Sequence, residues 1–197
     1  TLNYTKRFGQ LHDLQAMIGT SLISNTYEYY TSSGRNQPSA YTLYHYLESN
    51  TQEIRIGSDY LKTNTFSYFG RINYKFNERY LLTASLRRDG SSVLAPGHKW
   101  ATYPSIAAGW RINEESFMSN ATNISNLKLR LSWGKSGNSA IDPYSTLGGL
   151  GSSQYSFNNK LALGYYPKLV SNPDLGWETT DVYDVGLDLG LYGNRIA

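Results

Sequence analysis

The chain is 197 residues long, with 18 Lys and Arg against 15 Asp and Glu, a net charge of +3 and no cysteine. These numbers exclude a disulfide scaffold and a thiol site, and the scattered weak positive charge sets nucleic acid aside as a partner. No stretch approaches the roughly 18 consecutive apolar residues of a membrane helix. The low mean hydropathy leaves a membrane β-barrel open, because a barrel strand shows lipid only every second residue and its lumen is polar.

Residues 1–8 read as a short strand with Leu2, Tyr4 and Phe8 on one face, and residues 9–12 as a tight turn. A long strand follows from Asp13 to about Tyr30, setting Leu14, Ala16, Ile18, Thr20 and Leu22 against Gln15, Gly19 and Ser21. Residues 31–64 read as a polar, Tyr-rich connection marked by Asn36-Gln37-Pro38-Ser39, with a short helix over residues 40–48.

The stretch from Phe66 to Ser92 is the strongest signal. Phe66, Tyr68, Gly70, Ile72, Tyr74 and Phe76 alternate with Ser67, Phe69, Arg71, Asn73 and Lys75, and then Tyr80, Leu82, Ala84 and Leu86 alternate with Thr83, Ser85, Arg87 and Asp89. This is the pattern of strands with one apolar and one wet face. Aromatics stand at the ends of the apolar face and aliphatic residues between them, the order a bilayer imposes and a soluble sheet does not need. Facing residues must share a face, so the connection is predicted to be the three-residue loop Asn77-Glu78-Arg79, pairing Phe76 with Tyr80 and Gly70 with Leu86. Phe69 then faces Arg87, in cation–π range. Arg88, beyond Leu86 on the apolar face, is placed at the outer rim within reach of lipid phosphate.

Residues 89–98 read as a loop. Residues 99–113 read as a strand with Ile106, Ala108, Trp110 and Ile112 outward, Pro104 being expected near an end or bulge. Residues 114–126 read as a polar connection with a helical turn, and Glu114 and Glu115 as solvated turn residues rather than a glycosidase pair. Leu127, Leu129, Leu131 and Trp133 alternate with Lys128, Arg130 and Ser132; residues 134–176 read as one long loop, including a flexible Gly148–Gly151 run without phosphate-loop context. The last strand sets Tyr183, Val185, Leu187, Leu189 and Leu191 against Asp184, Gly186, Asp188 and Gly190, and residues 192–194 close it. Seven strands and the start of an eighth result. Connections alternate between short and long, the 114–126 segment excepted, as in outer-membrane barrels with short periplasmic turns and long outer loops.

Four segments resemble the SusC/RagA family of TonB-linked outer-membrane receptors of Bacteroidota. They are SYFGRINYKFNERYLLTASLRRDGSS (residues 67–92), Tyr103-Pro104-Ser105 with Ala108-Gly109-Trp110-Arg111, LKLRLSWGKSGN (127–138) and LGWETTDVYDVGLDLGL (175–191). Val93-Leu94 and Tyr103 depart from the family pattern, and residues 31–64 and 139–174 match nothing in it. The resemblance implies a plugged barrel of about 22 strands. It also implies a SusD-like surface lipoprotein as lid, and TonB-powered uptake of glycan or oligopeptide.

The fold class expected is all-β: an antiparallel transmembrane barrel segment of seven to eight strands from a larger barrel, occupying residues 1–197, with the plug domain outside them. A chain that starts without Met and begins and ends inside strand patterns fits a part of something larger. The location expected is the outer membrane, with outer-membrane lipid as a neighbour. No catalytic, metal or cofactor residue is assigned; His12, His45 and His98 are not expected to converge, and Asp89-Gly90-Ser91-Ser92 lacks the later oxygen ligands of a calcium loop. The polar lumen is assigned Arg71, Arg87, Arg111, Arg130, Asp184 and Asp188. Tyr29, Tyr30, Tyr41, Tyr44, Tyr46, Tyr155, Tyr165 and Tyr166 are the candidate groups for contacting substrate or lid. The rivals are a soluble β-sandwich binding carbohydrate, which explains the Tyr but not the aromatic ends, and another outer-membrane barrel, such as a hydrolase, for which no nucleophile–His pair is evident.

Overall fold

The structure is a computed structural model that describes residues 1–39 and 43–196. Its strands are β1 (Leu2–Phe8), β2 (His12–Arg35), β3 (Gln52–Phe76), β4 (Tyr80–Ser91), β5 (Trp100–Arg111), β6 (Ile124–Asn138), β7 (Gly149–Phe157), β8 (Lys160–Leu169) and β9 (Glu178–Leu191). Seven form one sheet in the order β1-β2-β3-β4-β5-β6-β9, and β7 and β8 form a separate two-stranded sheet. Among the described residues no helix is long and apolar enough to cross a membrane, a statement that bears on helices alone.

The chain divides into two compact units, residues 24–64 and the remainder. In the larger unit the antiparallel register reproduces the expected hairpin: Phe76 faces Tyr80, Ile72 faces Ala84, Gly70 faces Leu86 and Phe69 faces Arg87. Asn77 and Glu78 take positive φ (49° and 54°) to make the turn, and the Arg79 N–H donates to the Phe76 carbonyl at 3.0 Å. The register then carries each face across the sheet. Ile72, Ala84, Ile106, Trp133 and Tyr183 form one row, and Tyr74, Leu82, Ala108, Leu131 and Val185 the next. On the other face Asn73, Thr83, Ala107, Ser132 and Asp184 line up.

The apolar rows are uncovered within the described residues. Ile72 is 51% exposed, Leu86 55% and Val185 78%, and the buried apolar residues are only Leu94, Ala95 and Tyr103. The small packed knot lies where residues 92–99 meet the segment before β9. The Ala95 N–H donates to the Leu175 carbonyl at 3.0 Å, and Trp177 Nε1 donates to the Lys99 carbonyl at 2.9 Å.

Several expectations need correction. Residues 31–64 are not one loop. β2 continues to Arg35 and β3 starts at Gln52, leaving residues 36–51 as the connection. Within the smaller unit Asn36 turns the chain at a φ of 59°, its Nδ2 donating to Thr51 Oγ1 at 2.7 Å, and Arg35 pairs with Glu53 at 3.2 Å. The helix expected over 40–48 is two short 3-10 turns across Leu43–Ser49, broken at Tyr46 (φ −138°, ψ 66°), and its first residues lie outside the described ones. The long 134–176 loop is likewise wrong. β6 runs on to Asn138, and the β7–β8 hairpin follows, turned by Asn158 and Asn159 at φ 50° and 59°. Two successive left-handed residues suit a tight hairpin turn. The Gly148–Gly151 run therefore largely belongs to β7. Pro104 is inside β5, not at its end. It is tolerated because the β5–β6 register stops at Ser105, one residue away, so no ladder bond is forfeited on that side.

Candidate functional site

On the polar face, charges meet partners within and across strands. Arg130 donates to Asp188 Oδ1 at 2.8 and 3.2 Å. Arg87 Nε bridges both Asp89 oxygens at 2.8 Å, its Nη2 donates to Ser67 Oγ at 2.9 Å, and its guanidinium lies 5.6 Å from the Phe69 ring centre. Ser132 Oγ donates to Asp184 at 3.4 Å. Arg111 donates to the Glu78 carbonyl at 3.4 Å, and the Glu78 carboxylate also sits 3.2 Å from Lys75 and 4.0 Å from Arg7. Arg71 is exposed and has no ion-pair partner among the described residues. Five of the six charges assigned to this face thus engage neighbours. Gly109 and Gly186 carry no side chain there and leave an open trough of about 490 Å³, lined also by Thr83, Lys128, Arg130, Ser132 and Asp184. Such a surface suits hydrated or polar material better than a packed core.

The apolar face ends in rings. At the short-turn end Phe76 and Tyr80 stack at 6.1 Å, and His12 contributes its ring at 5.0 Å from Phe76 while bonded through Nδ1 to the Tyr74 hydroxyl at 2.7 Å. At the other end Phe66, Tyr68 and Trp100 cluster with centroids 4.7–6.3 Å apart. By β6 and β9 the rings at that end are Trp133 and Tyr183, in the Ile72 row, four residues along the strand from Tyr68.

One residue was misjudged from sequence. Glu114 is exposed, but the Glu115 side chain is only 11% accessible. Its Oε1 accepts from the Tyr80 hydroxyl at 2.6 Å and from Trp110 Nε1 at 3.0 Å, and its Oε2 accepts from Arg79 Nη1 at 3.1 Å. It ties the 3-10 turns Ile112–Glu114 and Ser116–Met118 to the β3–β4 turn. The Tyr80 and Trp110 hydrogen bonds, with Arg79 helping and partial burial opposing, hold its carboxyl below the usual range. A Glu preceded by Trp five residues earlier was the available signal, but only the register brings Tyr80 to the same point.

The candidate Tyr groups are open to solvent. Tyr29 stacks on Tyr27 at 6.4 Å with planes 6° apart, and Tyr30 lies 74% exposed. Tyr44 tilts against His45 at 4.2 Å, and Tyr46 forms the kink between the 3-10 turns. Tyr41 lies outside the described residues. On the β7–β8 hairpin the register puts Tyr155 and Tyr166 on one face and Tyr165 with Leu161 and Leu163 on the other. Tyr166 covers Gly151, where a Cβ would come within 2.6 Å of its ring. Elsewhere His98 approaches Asp174 at 3.9 Å, and among the described residues no group of three His, Asp or Glu is placed to hold a metal.

An antiparallel sheet with one lipid-like face, one charged face and aromatic borders defines a transmembrane β-barrel segment. The family model of the TonB dependent receptor-like β-barrel matches residues 1–197. TonB-dependent receptor P26 of Formosa agariphila is 39% identical over the whole of this chain, which spans 20% of that relative. TonB-dependent receptor SusC of Bacteroides thetaiotaomicron is 39% identical over 76% of the chain and 16% of its own length. The solved RagAB peptide transporter superposes over 98% of the chain and 21% of its own, with a TM-score of 0.88 at 25% identity. The chain belongs to the TonB-dependent receptor β-barrel family, in its SusC/RagA branch, and spans about a fifth of the length of the relatives it matches.

Proposed function

We propose that residues 1–197 are part of the wall of an outer-membrane nutrient receptor that imports glycan or oligopeptide with energy supplied through TonB. The plug domain and the TonB-contacting segment belong to the receptor outside these residues, and a SusD-like lipoprotein covers the outer mouth. The observation that carries the reading is the sorting of side chains by the register, with apolar rows on one face, bordered by rings and left uncovered, and charges on the other. A soluble sandwich would bury that apolar face under a second sheet; among the described residues β7 and β8 make the only other sheet, and they are exposed. Similarity to the TonB-dependent receptor SusC and to the RagAB peptide transporter supports a role in transport.

In this orientation the turns at 9–11 and 77–79 face the periplasm and the connections 36–51, 92–99 and 139–177 face outward. Arg71, Arg87, Arg111, Arg130, Asp184 and Asp188 line the lumen. Strands must satisfy the bilayer, so substrate and lid are read by the loops: the Tyr groups of 24–64 and those of the β7–β8 hairpin. The test is replacement of residues 139–174 by a short Gly-Ser turn in the full-length receptor. Surface display should be unchanged while growth on the cognate nutrient, or capture of the lipoprotein, is lost. Full growth with normal display would move the reading role from this hairpin to the lumen charges.

A further inference from the structure

Arg88 is a cation on the apolar face that the receptor reading leaves without a task. Arg88 faces Tyr68 on β3 and Thr102 on β5, one step beyond Leu86. Its guanidinium lies 5.6 Å from the Trp100 ring centre, and it has no carboxylate partner among the described residues. Lys135, also on this face, differs in having Asp181 at 3.5 Å, and Lys6 lies over the Phe8 ring at 4.9 Å, away from this groove. Trp100 can lie in this position because Gly90 is beneath it, where a Cβ would come within 2.8 Å of the ring. The ring supports one side of the guanidinium, and the planar fork of N–H donors remains for an acceptor.

Below Arg88 the same face is hollow. Leu2, Ile18, Tyr68, Gly70 and Leu86, with Thr1 and Thr20, line a groove to which Arg88 also contributes. Gly70 is its floor. A Cβ there would find nothing nearer than the Met17 carbonyl at 3.6 Å and Ile18 Cγ2 at 3.8 Å, so the space is open rather than crowded. Tyr68 is eight residues from Phe76 of the opposite aromatic border, about 27 Å along the strand and about 20 Å along the membrane normal after tilt. That places Arg88 at the headgroup level and Gly70 in the hydrocarbon.

We propose that this groove and Arg88 form a binding site for one anionic, phosphate-bearing lipid of the outer leaflet, its phosphate on the guanidinium and an acyl chain over Gly70. The site rests on the membrane orientation proposed above. A cation with no carboxylate partner among the described residues, stacked beside an apolar groove, complements an amphiphile with a negative head. The lipid would brace the β2–β3–β4 wall without entering the transport path.

The test uses the full-length receptor, delipidated in detergent, titrated with dioleoylphosphatidic acid and followed by native mass spectrometry. Dioleoylglycerol and inorganic phosphate are the comparison probes. The wild type should retain one phosphatidic acid, bind dioleoylglycerol about tenfold more weakly, and keep its lipid in inorganic phosphate. Arg88→Ala should weaken binding about tenfold and Arg88→Lys by a smaller factor, since a point charge lacks the fork. Gly70→Leu should weaken it by filling the floor while leaving Arg88 intact. Equal affinity for wild type and Arg88→Lys, or for wild type and Arg88→Ala, overturns the site, and full displacement by inorganic phosphate overturns the lipid as its occupant. Failure of the membrane reading would show separately, as absence of the wild-type receptor from the outer-membrane fraction.

Discussion

The main sheet and the β7–β8 hairpin are both antiparallel, yet they obey different solvents. In the middle of the sheet the rows from β3 to β9 largely keep one chemistry per face, so a lipid-like rank such as Tyr74, Leu82, Ala108, Leu131 and Val185 is followed on the other face by the polar rank Asn73, Thr83, Ala107, Ser132 and Asp184. In the hairpin Ser152, Gln154 and Ser156 of β7 share a face with Tyr165, Leu163 and Leu161 of β8, and every residue of β8 is exposed. A bilayer penalises polar groups over a whole face, whereas water and a transient partner tolerate mixed ones. The contrast fits the roles proposed above, the sheet as wall and the hairpin as reader.

Three experiments on the full-length receptor in lipid would sharpen that contrast. The largest effect is expected for Leu129→Arg, on the apolar face of β6, which should cost about 2–4 kcal/mol in denaturant unfolding. Gln154→Arg on the hairpin should change stability by less than about 0.5 kcal/mol. Similar losses at both positions would break the division. A smaller difference is expected between two glycines. A Cβ at Gly137 would collide with the Tyr103 ring, whose hydroxyl is buried without a hydrogen-bond partner among the described residues. Gly137→Ala should therefore cost about 1–3 kcal/mol as overpacking. At Gly164 of the hairpin the nearest atom to a Cβ is the Ser153 carbonyl at 3.7 Å, so Gly164→Ala should be neutral or stabilising by up to about 1 kcal/mol. Melting temperatures of the two variants decide it.

The smallest effect concerns pH. Glu115 has its carboxyl held below the ordinary 4.5, chiefly by the Tyr80 hydroxyl and then by Trp110. A carboxyl depressed on folding contributes stability that is full above its unfolded value and is lost as pH falls through the folded one. The wild-type melting temperature should thus drop between pH 5 and pH 3 by more than that of Glu115→Gln. Parallel pH profiles would show that the carboxylate does not tie the turns.

Much of the wall was legible before any coordinates. Period-2 alternation with ring-capped apolar faces is local, and the three-residue turn followed from parity alone, because a two-residue turn would have set Tyr74 against Leu81. The polar-face assignment of Arg71, Arg87, Arg111, Arg130, Asp184 and Asp188 follows from the same parity, since facing residues share a side. The ends of β2 and β3 and the β7–β8 hairpin were missed for one reason: their faces mix Ser, Thr, Gln and Tyr with Leu and Ile, so alternation carries no hydropathy signal once a strand leaves the membrane. The Asn158-Asn159 turn was the cue that remained.

What the amino-acid order determined by itself was the two-faced character of each strand, since side-chain direction in a strand is set by the backbone pleat within a few residues. Only the tertiary structure decided which strands neighbour which and at what height. The Arg130–Asp188 pair spans 58 residues, Glu115 meets Tyr80 and Arg79 across 35 and 36, and Leu94 and Ala95 are buried by a segment about 80 residues further on. Such contacts depend on register summed over several strands, a quantity no local pattern contains.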